Sequence, residues 1–419
     1  MRYFIPDWED RIDPNFDFEN DFEPNRQKDS YTGRIYAHEL FRIVPYDGIL
    51  ISLGIFREKI RIDNNGQHPT IRGYESIKEY LRLDKYSKQL EVMGDCGAFS
   101  YINEEKPPFS VKEIADLYND FDFDLGISLD HLVVNSIVGN GGQKIKLSQA
   151  DKEKRRQLSL ENAQQFLSYC QSRNYSFIPI GSAQGYDTTS YINSVNELIE
   201  MNYEYIALGG LVRHVTPKID EIVTSVMRVV AQNRNIKIHL LGLLRTKLLN
   251  KFKRLNIASF DSASYLRKAW LRSSMNYLGV DGNWYAAIRV PYSWNPNIRS
   301  EAEKQGINLK RLQELEEESL KTLKKYAKSE KDLKATLEVV LEYDKLLNRS
   351  SDKKNLKEKY EHTLQSRIWE KCNCEICQIV PSRIDIVIFR GANRNKRRGF
   401  HNIKMFYEQF LADDKEMKA

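Results

Sequence analysis

Short apolar runs rich in β-branched residues recur along this chain, with amphipathic segments between them. Eight of them lie before residue 262: RYFIP (2–6), GILISLGIF (48–56), EVMGD (91–95), DLGISLD (124–130), SFIPIG (176–181), YIALGG (205–210), IKIHLLG (236–242) and IASFD (257–261). Near-continuous apolar strands that alternate with helices are typical of a parallel sheet buried on both faces. Since eight such strands close a (β/α)8 barrel, the alternation predicts an α/β fold of the TIM-barrel type.

Three of the five cysteines crowd into the segment CNCEICQ (372–378). No basic leader opens the sequence and no stretch approaches the roughly 20 apolar residues of a membrane span, so we expect a soluble, cytoplasmic protein without disulfides. A C-x-C-x2-C cluster in a reducing compartment favours zinc, because close thiolates repel unless a cation neutralises them. The predicted ligands are Cys372, Cys374, Cys377 and His401, a full shell that makes the zinc structural. The alternative is that these side chains only pack.

The C-terminal part of the chain differs in composition from the strand-rich part. Residues 300–368 are dense in Glu, Lys and Leu, which predicts a helical hairpin with a solvated face. A ninth apolar run, IDIVIF (384–389), lies between the cysteines and His401, and we assign it to the zinc-binding part. The predicted organisation is a barrel over residues 1–299, a charged helical insertion over 300–368, and a zinc-binding subdomain over 369–419 with a basic loop and a C-terminal helix.

Basic residues concentrate in two acid-poor stretches. Residues 222–280 contain eleven Lys and Arg and one acid, and FRGANRNKRRGF (389–400) adds five bases and no acid. Such clusters indicate contacts with the phosphates of a nucleic acid, although helices with solvated lysines are the alternative reading of the first stretch. The side chains predicted to contact nucleic acid are those of Arg267, Arg390, Arg394, Lys396, Arg397 and Arg398.

Polar residues follow the predicted strands at their carboxyl ends, where barrel enzymes gather their catalytic groups. Asp95, Asp130 and Asp261 end three strands, and Gln184 and the pair Gly209-Gly210 follow two more. One Asp after a strand is more often a helix cap or turn former, but the joint occurrence across five strands indicates a shared site. Convergent carboxylates suit double displacement at an acetal-like carbon, with one as the nucleophile and another managing the proton.

The same strand ends offer groups that can recognise a base. The edge of a purine can form hydrogen bonds with a further carboxylate, with the Gln184 amide and with the backbone near Gly210. Phe99 offers an aromatic face on which the base can stack. The sequence therefore favours glycosyl chemistry on a polyanion. A rival from another class is a zinc-stabilised nucleic-acid-binding protein in which the aspartates are only caps.

Two other motifs carry weaker signals. Cys96 follows Asp95 directly and would be a candidate nucleophile, but no partner histidine is evident from the sequence. The glycine-rich stretch VGNGGQK (138–144) lacks the Lys-Ser/Thr ending of a phosphate-binding loop, so we expect an ordinary loop there.

From about residue 90 to residue 410, the motifs resemble those of the tRNA-guanine transglycosylases. The cysteine cluster followed two dozen residues later by His401-Asn402 is similar to the zinc motif of that family. Other motifs of that family are similar to these segments of the chain: Asp95-Cys96-Gly97-Ala98-Phe99-Ser100, Asp130, Gln184-Gly185, Gly209-Gly210-Leu211 and Phe260-Asp261. Here Ala98 and Ser100 stand where the family has Gly and Gln, and Val212-Arg213-His214 follows the Gly-Gly-Leu element.

The resemblance implies an irregular (β/α)8 barrel with a defined division of roles. Asp261 would be the nucleophile on C1′ of a guanosine, and Asp95 would be the general acid/base. The residues implied to bind the exchanging base are Asp130, Gln184, Gly209 and Gly210, with Phe99 and Leu241 on its two faces.

Three segments look closest to the DNA-guanine transglycosylase branch: PDWEDRIDPNFDF, PYDGILISLG and FRGANRNKRRGFHN. That likeness implies a pentosyltransferase that exchanges guanine in DNA for 7-cyano-7-deazaguanine (preQ0), alongside other DNA-modification proteins. The same reaction on tRNA is the alternative, because both polymers present phosphate and guanine. A duplex substrate would require the target nucleotide to leave the stack, at a cost that backbone contacts must offset.

Overall fold

A computed structural model of the chain describes residues 1–24, 33–62, 69–86, 89–139, 141–233, 235–271, 275–346 and 356–416. The chain divides into two units. The first consists of Met1–Trp8 with Tyr46–Ala263, and the second of Glu9–Pro45 with Ser264–Ala419. The two units are defined by compactness, whereas the predicted boundaries at residues 299 and 368 follow the change in composition and the cysteine motif, and they stay a prediction.

Eight parallel strands among the described residues of the first unit close into a barrel. In chain order they are Arg2–Pro6, Gly48–Ser52, Glu91–Asp95, Leu125–Ile127, Ile178–Ala183, Tyr205–Leu208, Lys237–Leu240 and Ser259–Asp261. Each strand pairs with its neighbours in sequence, and the first closes on the eighth with Phe4 opposite Asp261. The predicted TIM barrel is confirmed, and each of the eight apolar runs supplies one strand.

Inward-facing side chains fill the barrel, as expected for one of this size. The buried cluster comprises Phe4, Leu50, Met93, Leu125, Ile127, Ile180, Tyr205 and Ala207, with Leu241 and Ala258 packed against it. On the outside, a helix packs so closely that two strands need glycine. A methyl group at Gly94 would lie 2.0 Å from the ring of Tyr118, and one at Gly126 would lie 2.5 Å from the same ring.

Helices follow the strands as a (β/α)8 pattern requires. Those after the third to seventh strands are Val111–Asp120, Gln149–Arg173, Thr188–Glu200, Thr216–Val230 and Thr246–Arg254. Shorter helical segments follow the second strand at Leu53–Phe56, Arg57–Lys59 and Ile77–Tyr80, and another lies at Leu211–Arg213. Capping boxes at Ser110, Ser148 and Asp187 begin three of the longer helices, because each side chain accepts from the backbone three residues on.

Two antiparallel hairpins extend from the barrel unit. One pairs Ile60–Ile62 with Pro69–Ile71, and the other pairs Ser136–Val138 with Lys144–Lys146. The second contains the glycine-rich stretch that we predicted as an ordinary loop. That prediction was wrong at its two ends, because Val138 and Lys144 pair within the hairpin.

The second unit is mostly helical. Its helices are Ala37–Leu40, Ser264–Lys268, Pro296–Lys304, Leu309–Ala327, Leu333–Leu346, Leu356–Ser366, Glu375–Gln378 and Ala392–Glu416, with 3-10 turns at Ile368–Glu370 and Arg383–Val387. Short strands pair Tyr277–Leu278 with Trp284–Tyr285 and Ile288–Arg289 with Ile388–Phe389. Leu309–Ala327 packs against Leu333–Leu346, which is the predicted helical hairpin. No helix among the described residues is both long and apolar enough to cross a membrane.

Candidate active site and metal centre

Asp261 ends the eighth strand and lies buried inside the mouth of the barrel. Its Oδ1 atom accepts a hydrogen bond from the backbone N–H of Gly242 at 2.6 Å and lies 3.1 Å from Nε2 of His239. Gly242 holds this position with φ of +67°, a conformation that favours glycine. Among the described residues, Oδ2 has no hydrogen-bond donor, so one carboxylate oxygen is fixed and the other is left for a ligand.

A buried chain of polar side chains runs behind this carboxylate. Nδ1 of His239 lies 2.6 Å from Oγ of Ser259, and that oxygen lies 2.6 Å from the phenol oxygen of Tyr205. The strands bring these groups together because His239 is paired with Ser259 in the seventh and eighth strands. The chain can run in one direction with every group neutral: Tyr205 donates to Ser259, Ser259 to His239, and Nε2–H of His239 to Asp261.

Asp95 ends the third strand and carries an unusual pKa. Burial raises the pKa of this carboxyl to about 8, and the negative charges of Asp130 and Asp261 add to the rise, while hydrogen bonds from Gly97 and Ser52 oppose it. The three carboxyl groups therefore interact electrostatically at one end of the barrel. Because its pKa lies above neutrality, the Asp95 side chain is protonated at pH 7 and can deliver a proton.

Asp130 lies just beyond the fourth strand and is 1% exposed. Its Oδ2 atom accepts from Ser182 Oγ at 2.7 Å and from Gln184 Nε2 at 2.5 Å, and its Oδ1 atom accepts from Cys96 Sγ at 3.0 Å. Oε1 of Gln184 is buried and has no hydrogen-bond partner among the described residues. A buried acceptor without a donor indicates a ligand that supplies one.

Cys96 takes part in the same network as a thiol. Tyr101 donates a hydrogen bond to its sulfur at 3.0 Å, and burial together with the charges of Asp130 and Asp95 raises the pKa of Cys96 well above its ordinary value. A thiol held in this state is a poor nucleophile, since the thiolate is the reactive form. The raised pKa of Cys96 favours Asp261 over Cys96 as the nucleophile.

The remaining predicted base-binding residues lie around the same mouth. Gly209 and Gly210 directly follow the sixth strand, and a methyl group at Gly209 would lie 2.1 Å from Nε2 of Gln184. Leu241 is half-buried against the barrel core, and Phe99 is 56% exposed. The guanidinium of Arg213 stands 5.7 Å from the centre of the Phe99 ring.

The four predicted metal ligands converge in the second unit. Among the described residues, Cys372, Cys374, Cys377 and His401 form a buried cluster whose ligand atoms all lie within 4.8 Å of one another. Nδ1 of His401 lies 3.4 to 3.5 Å from each sulfur, and its Nε2 faces the carbonyl oxygen of Leu278 at 2.6 Å. The cysteines are free thiols rather than disulfides, so the cluster can hold a metal ion.

The comparison with known proteins settles the family. No protein-family model matches the chain. A curated relative from Salmonella montevideo, named DNA-guanine transglycosylase, is 33% identical over 426 residues, which cover 98% of this chain and 96% of the relative. This chain belongs to the DNA-guanine transglycosylase family. It is therefore a guanine transglycosylase, and the non-catalytic alternative is set aside.

The basic run of this transglycosylase does not form the loop that we predicted. It lies in the first turns of the helix Ala392–Glu416, and Arg394, Arg397 and Arg398 are at most 1% exposed. The guanidinium of Arg394 lies over the ring of Phe18 at 4.8 Å, and that of Arg398 lies over the ring of Phe389 at 5.2 Å.

Each guanidinium of the run finds its partners within the second unit. Arg390 and Arg394 pair with Asp21, and Arg394 also pairs with Asp385 at 2.5 Å. The other three basic side chains donate to backbone carbonyls: Lys396 to Glu9, Arg397 to Asp13, and Arg398 to Ile386, Ile388 and Ala269. The four arginines stabilise the fold, and their burial leaves no surface for phosphate, whereas Lys396 is half-buried and stays a predicted contact. Arg267 is exposed and stays a predicted contact.

Sequence reasoning missed His239, Ser259 and Ser182. The signal for the first was present in the strand IKIHLLG, because period-two alternation puts His239 on the same face as Leu241. The same alternation puts Ser259 on the face of Asp261. A polar residue two positions before a functional residue at a strand end is thus a candidate to form hydrogen bonds that position it.

Proposed function

We propose that this transglycosylase exchanges guanine in DNA for 7-cyano-7-deazaguanine through a covalent intermediate on Asp261. The observation that carries the proposal is the convergence of Asp95, Asp130 and Asp261, with the pKa of Asp95 raised to about 8 and one oxygen of Asp261 held by Gly242. DNA is chosen over tRNA because the curated relative bears the name DNA-guanine transglycosylase.

In the first step, Oδ2 of Asp261 attacks C1′ of the target deoxyguanosine. The bond between C1′ and the base nitrogen breaks, its electron pair goes to the guanine, and Asp95 donates its proton to that leaving base. In the second step, Asp95 removes the ring N–H proton of the incoming base. That nitrogen attacks C1′ from the face the guanine left, and Asp261 departs as a carboxylate.

Asp130 and Gln184 would bind both bases in turn. A guanine-type edge offers an N–H and an amino group as donors, and these suit the remaining lone pairs of Asp130 and the buried Oε1 of Gln184. Phe99 and Leu241 supply apolar surface for the two faces, and the Gly209-Gly210 backbone allows close approach.

His239 would position the nucleophile. A neutral imidazole that donates from Nε2 to Oδ1 of Asp261 fixes the orientation of the carboxylate without taking its charge. The same donor, with the Gly242 N–H, stabilises the negative charge that returns to Asp261 when the intermediate breaks down. His239 is a positioning residue in this scheme, because it acts through Asp261.

Zinc is the proposed occupant of the Cys3His cluster. Bond lengths of about 2.3 Å to sulfur and about 2.05 Å to nitrogen would place each sulfur of a tetrahedral site about 3.5 Å from the nitrogen. The separations of 3.4 to 3.5 Å between the sulfurs and Nδ1 of His401 agree with that value. With four protein ligands such an ion is structural, and it takes no part in the exchange.

One experiment tests substrate and reaction together. The protein is incubated with 7-cyano-7-deazaguanine and either guanine-containing DNA or tRNA, and each polymer is then digested and its nucleosides identified by mass spectrometry. We expect modified deoxynucleosides from DNA and none from an Asp261→Ala variant. Modified ribonucleosides alone would replace the DNA proposal with the tRNA one.

A further inference from the structure

The hairpin of Ser136–Val138 and Lys144–Lys146 has no role in the exchange as proposed. It begins a few residues after Asp130, so its base lies near the carboxyl end of the fourth strand. The sequence contains no acid from residue 131 to residue 150. A hairpin so close to the base pocket, with lysines and no acid, is suited to meet the polymer that enters there.

The two faces of the hairpin differ. Residues directly opposite in an antiparallel pair project to the same face, so Ile137 and Ile145 share one face, while Val138 shares the other with Lys144 and Lys146. Val138 is 52% exposed and Ile145 is 40% exposed, and both lysines are exposed. Each face of the hairpin therefore presents one exposed apolar side chain, Val138 beside the two lysines and Ile145 on the opposite face.

The turn end of the hairpin, where Val138 pairs with Lys144, is hydrogen-bonded to the segment that carries Phe99. The backbone N–H of Val138 donates to Oδ1 of Asn103 at 2.9 Å. That segment is held in turn by Arg155, whose guanidinium donates to the carbonyl oxygens of Ile102 at 2.9 Å and Glu104 at 3.2 Å. The hairpin therefore has a defined position relative to the base pocket of its own unit.

Charge around the hairpin also favours a polyanion. Glu105, an acid of the neighbouring segment, is paired with Lys154 at 2.8 Å. Lys152 donates to the side chain of Asn135 at the base of the hairpin, at 2.8 Å. Residues 131–156 contain six Lys and Arg against two acids, so this stretch carries a net positive charge.

We propose that this hairpin is a ribbon that enters a groove of duplex DNA beside the target guanosine and helps the nucleotide to leave the stack. The inference rests on the proposed function. Lys144 and Lys146 contact phosphates. Val138, on the same face, packs against the sugars and bases that the departing nucleotide exposes, and Ile145 packs against the groove from the opposite face. A two-stranded ribbon fits the major groove, and apolar side chains are used elsewhere to unstack base steps.

The test compares a duplex with a single strand of the same sequence, because a single strand has no stack to open. The apolar variant is Val138→Ser with Ile145→Ser, and the basic variant is Lys144→Ala with Lys146→Ala. Ile178→Ser is the matched control, because Ile178 is 47% exposed at the opposite end of its barrel strand. We expect the apolar variant to lose about tenfold or more of the exchange rate on duplex DNA and less than about twofold on the single strand.

A second readout does not depend on exchange. A 2-aminopurine next to the target guanine reports unstacking by its fluorescence, which should rise when the parent protein or the Ile178→Ser control binds and should not rise with the apolar variant. The basic variant should flatten the dependence of log affinity for duplex on log salt by about two.

The outcomes separate the two proposals. Equal loss on duplex and single strand, or no loss on either together with an unchanged fluorescence rise, would overturn the role of the hairpin while the exchange reaction stands. No exchange on either DNA by the parent protein would overturn the proposed function, and the fluorescence would still decide whether the hairpin unstacks DNA.

Discussion

Replacing Asp95 with Asn should stabilise the protein while it abolishes exchange. The reason is the pKa of Asp95, which burial and the neighbouring carboxylates raise from 3.8 to about 8. Between these values the folded chain holds a proton that the unfolded chain has released. The free energy of unfolding therefore falls as pH rises through this window, by about 1.4 kcal/mol per pH unit. An amide has no such proton, so the Asp95→Asn variant should not lose stability in this way.

The size of the effect follows from the same pKa. At pH 7, ionisation of Asp95 in the unfolded chain lowers the free energy of unfolding of the parent by about 4 kcal/mol, because pH 7 lies 3.2 units above 3.8 and each unit contributes about 1.4 kcal/mol. At pH 5 the same reduction is less than about 2 kcal/mol. Asn keeps an oxygen for the N–H of Gly97 but is a weaker acceptor than a carboxylate. We therefore expect a gain of about 2 to 4 kcal/mol at pH 7.

Urea denaturation followed by circular dichroism at pH 5, 6, 7 and 8 measures this gain. Asp151→Asn is the control, because the hydrogen bonds of Ser148 lower the pKa of that exposed carboxyl and the variant should show no gain that grows with pH. If the free energy of unfolding of Asp95→Asn differs from that of the parent by the same amount at pH 5 and pH 8, the reasoning is refuted. A variant less stable than the parent at pH 8 would refute it as well.

Three further predictions concern other parts of the molecule. Asn at position 239 can reach Ser259 but not Asp261, whereas Gln can donate to Asp261 from the place of Nε2. His239→Asn should therefore lower kcat by about tenfold or more at unchanged KM for the base, and His239→Gln should recover much of it. Elemental analysis should find about one zinc per chain in the parent and less in Cys374→Ser, which should also have a lower Tm. Arg394→Ala leaves the buried carboxylate of Asp385 unpaired, while Asp21 keeps Arg390. The variant should therefore be destabilised by about 3 to 5 kcal/mol in urea without a change in the salt dependence of DNA binding.

The barrel was predictable because each of its strands is a local signal. Apolar runs such as EVMGD and IASFD end at polar residues, and parallel strands in a closed sheet bring those ends to one side. The metal cluster was predictable for a similar reason, since three of its four ligands are close in sequence. What the structure adds there is the position of His401 within the long helix Ala392–Glu416.

The role of the basic run was not predictable from its composition. A local count of charge gives no information about the distant residues that pack on it, and here Asp21 and Asp385 neutralise Arg394 from separate segments. The hydrogen bonds that link Tyr205, Ser259 and His239 behind Asp261 were missed for a related reason. His239 and Ser259 are far apart in sequence, and only the register of the seventh and eighth strands puts them side by side.

The central claim is that Asp261 attacks the sugar and holds it between the two steps. Its most direct test is to mix the protein with a guanine-containing DNA oligonucleotide, quench with acid without adding a second base, digest with protease, and measure the peptides by mass spectrometry. We expect the peptide that contains Asp261 to carry the oligonucleotide through its abasic sugar, and His239→Gln to give the same adduct. Base exchange without any adduct, or an adduct on the peptide that contains Asp95, would contradict the assignment of the nucleophile.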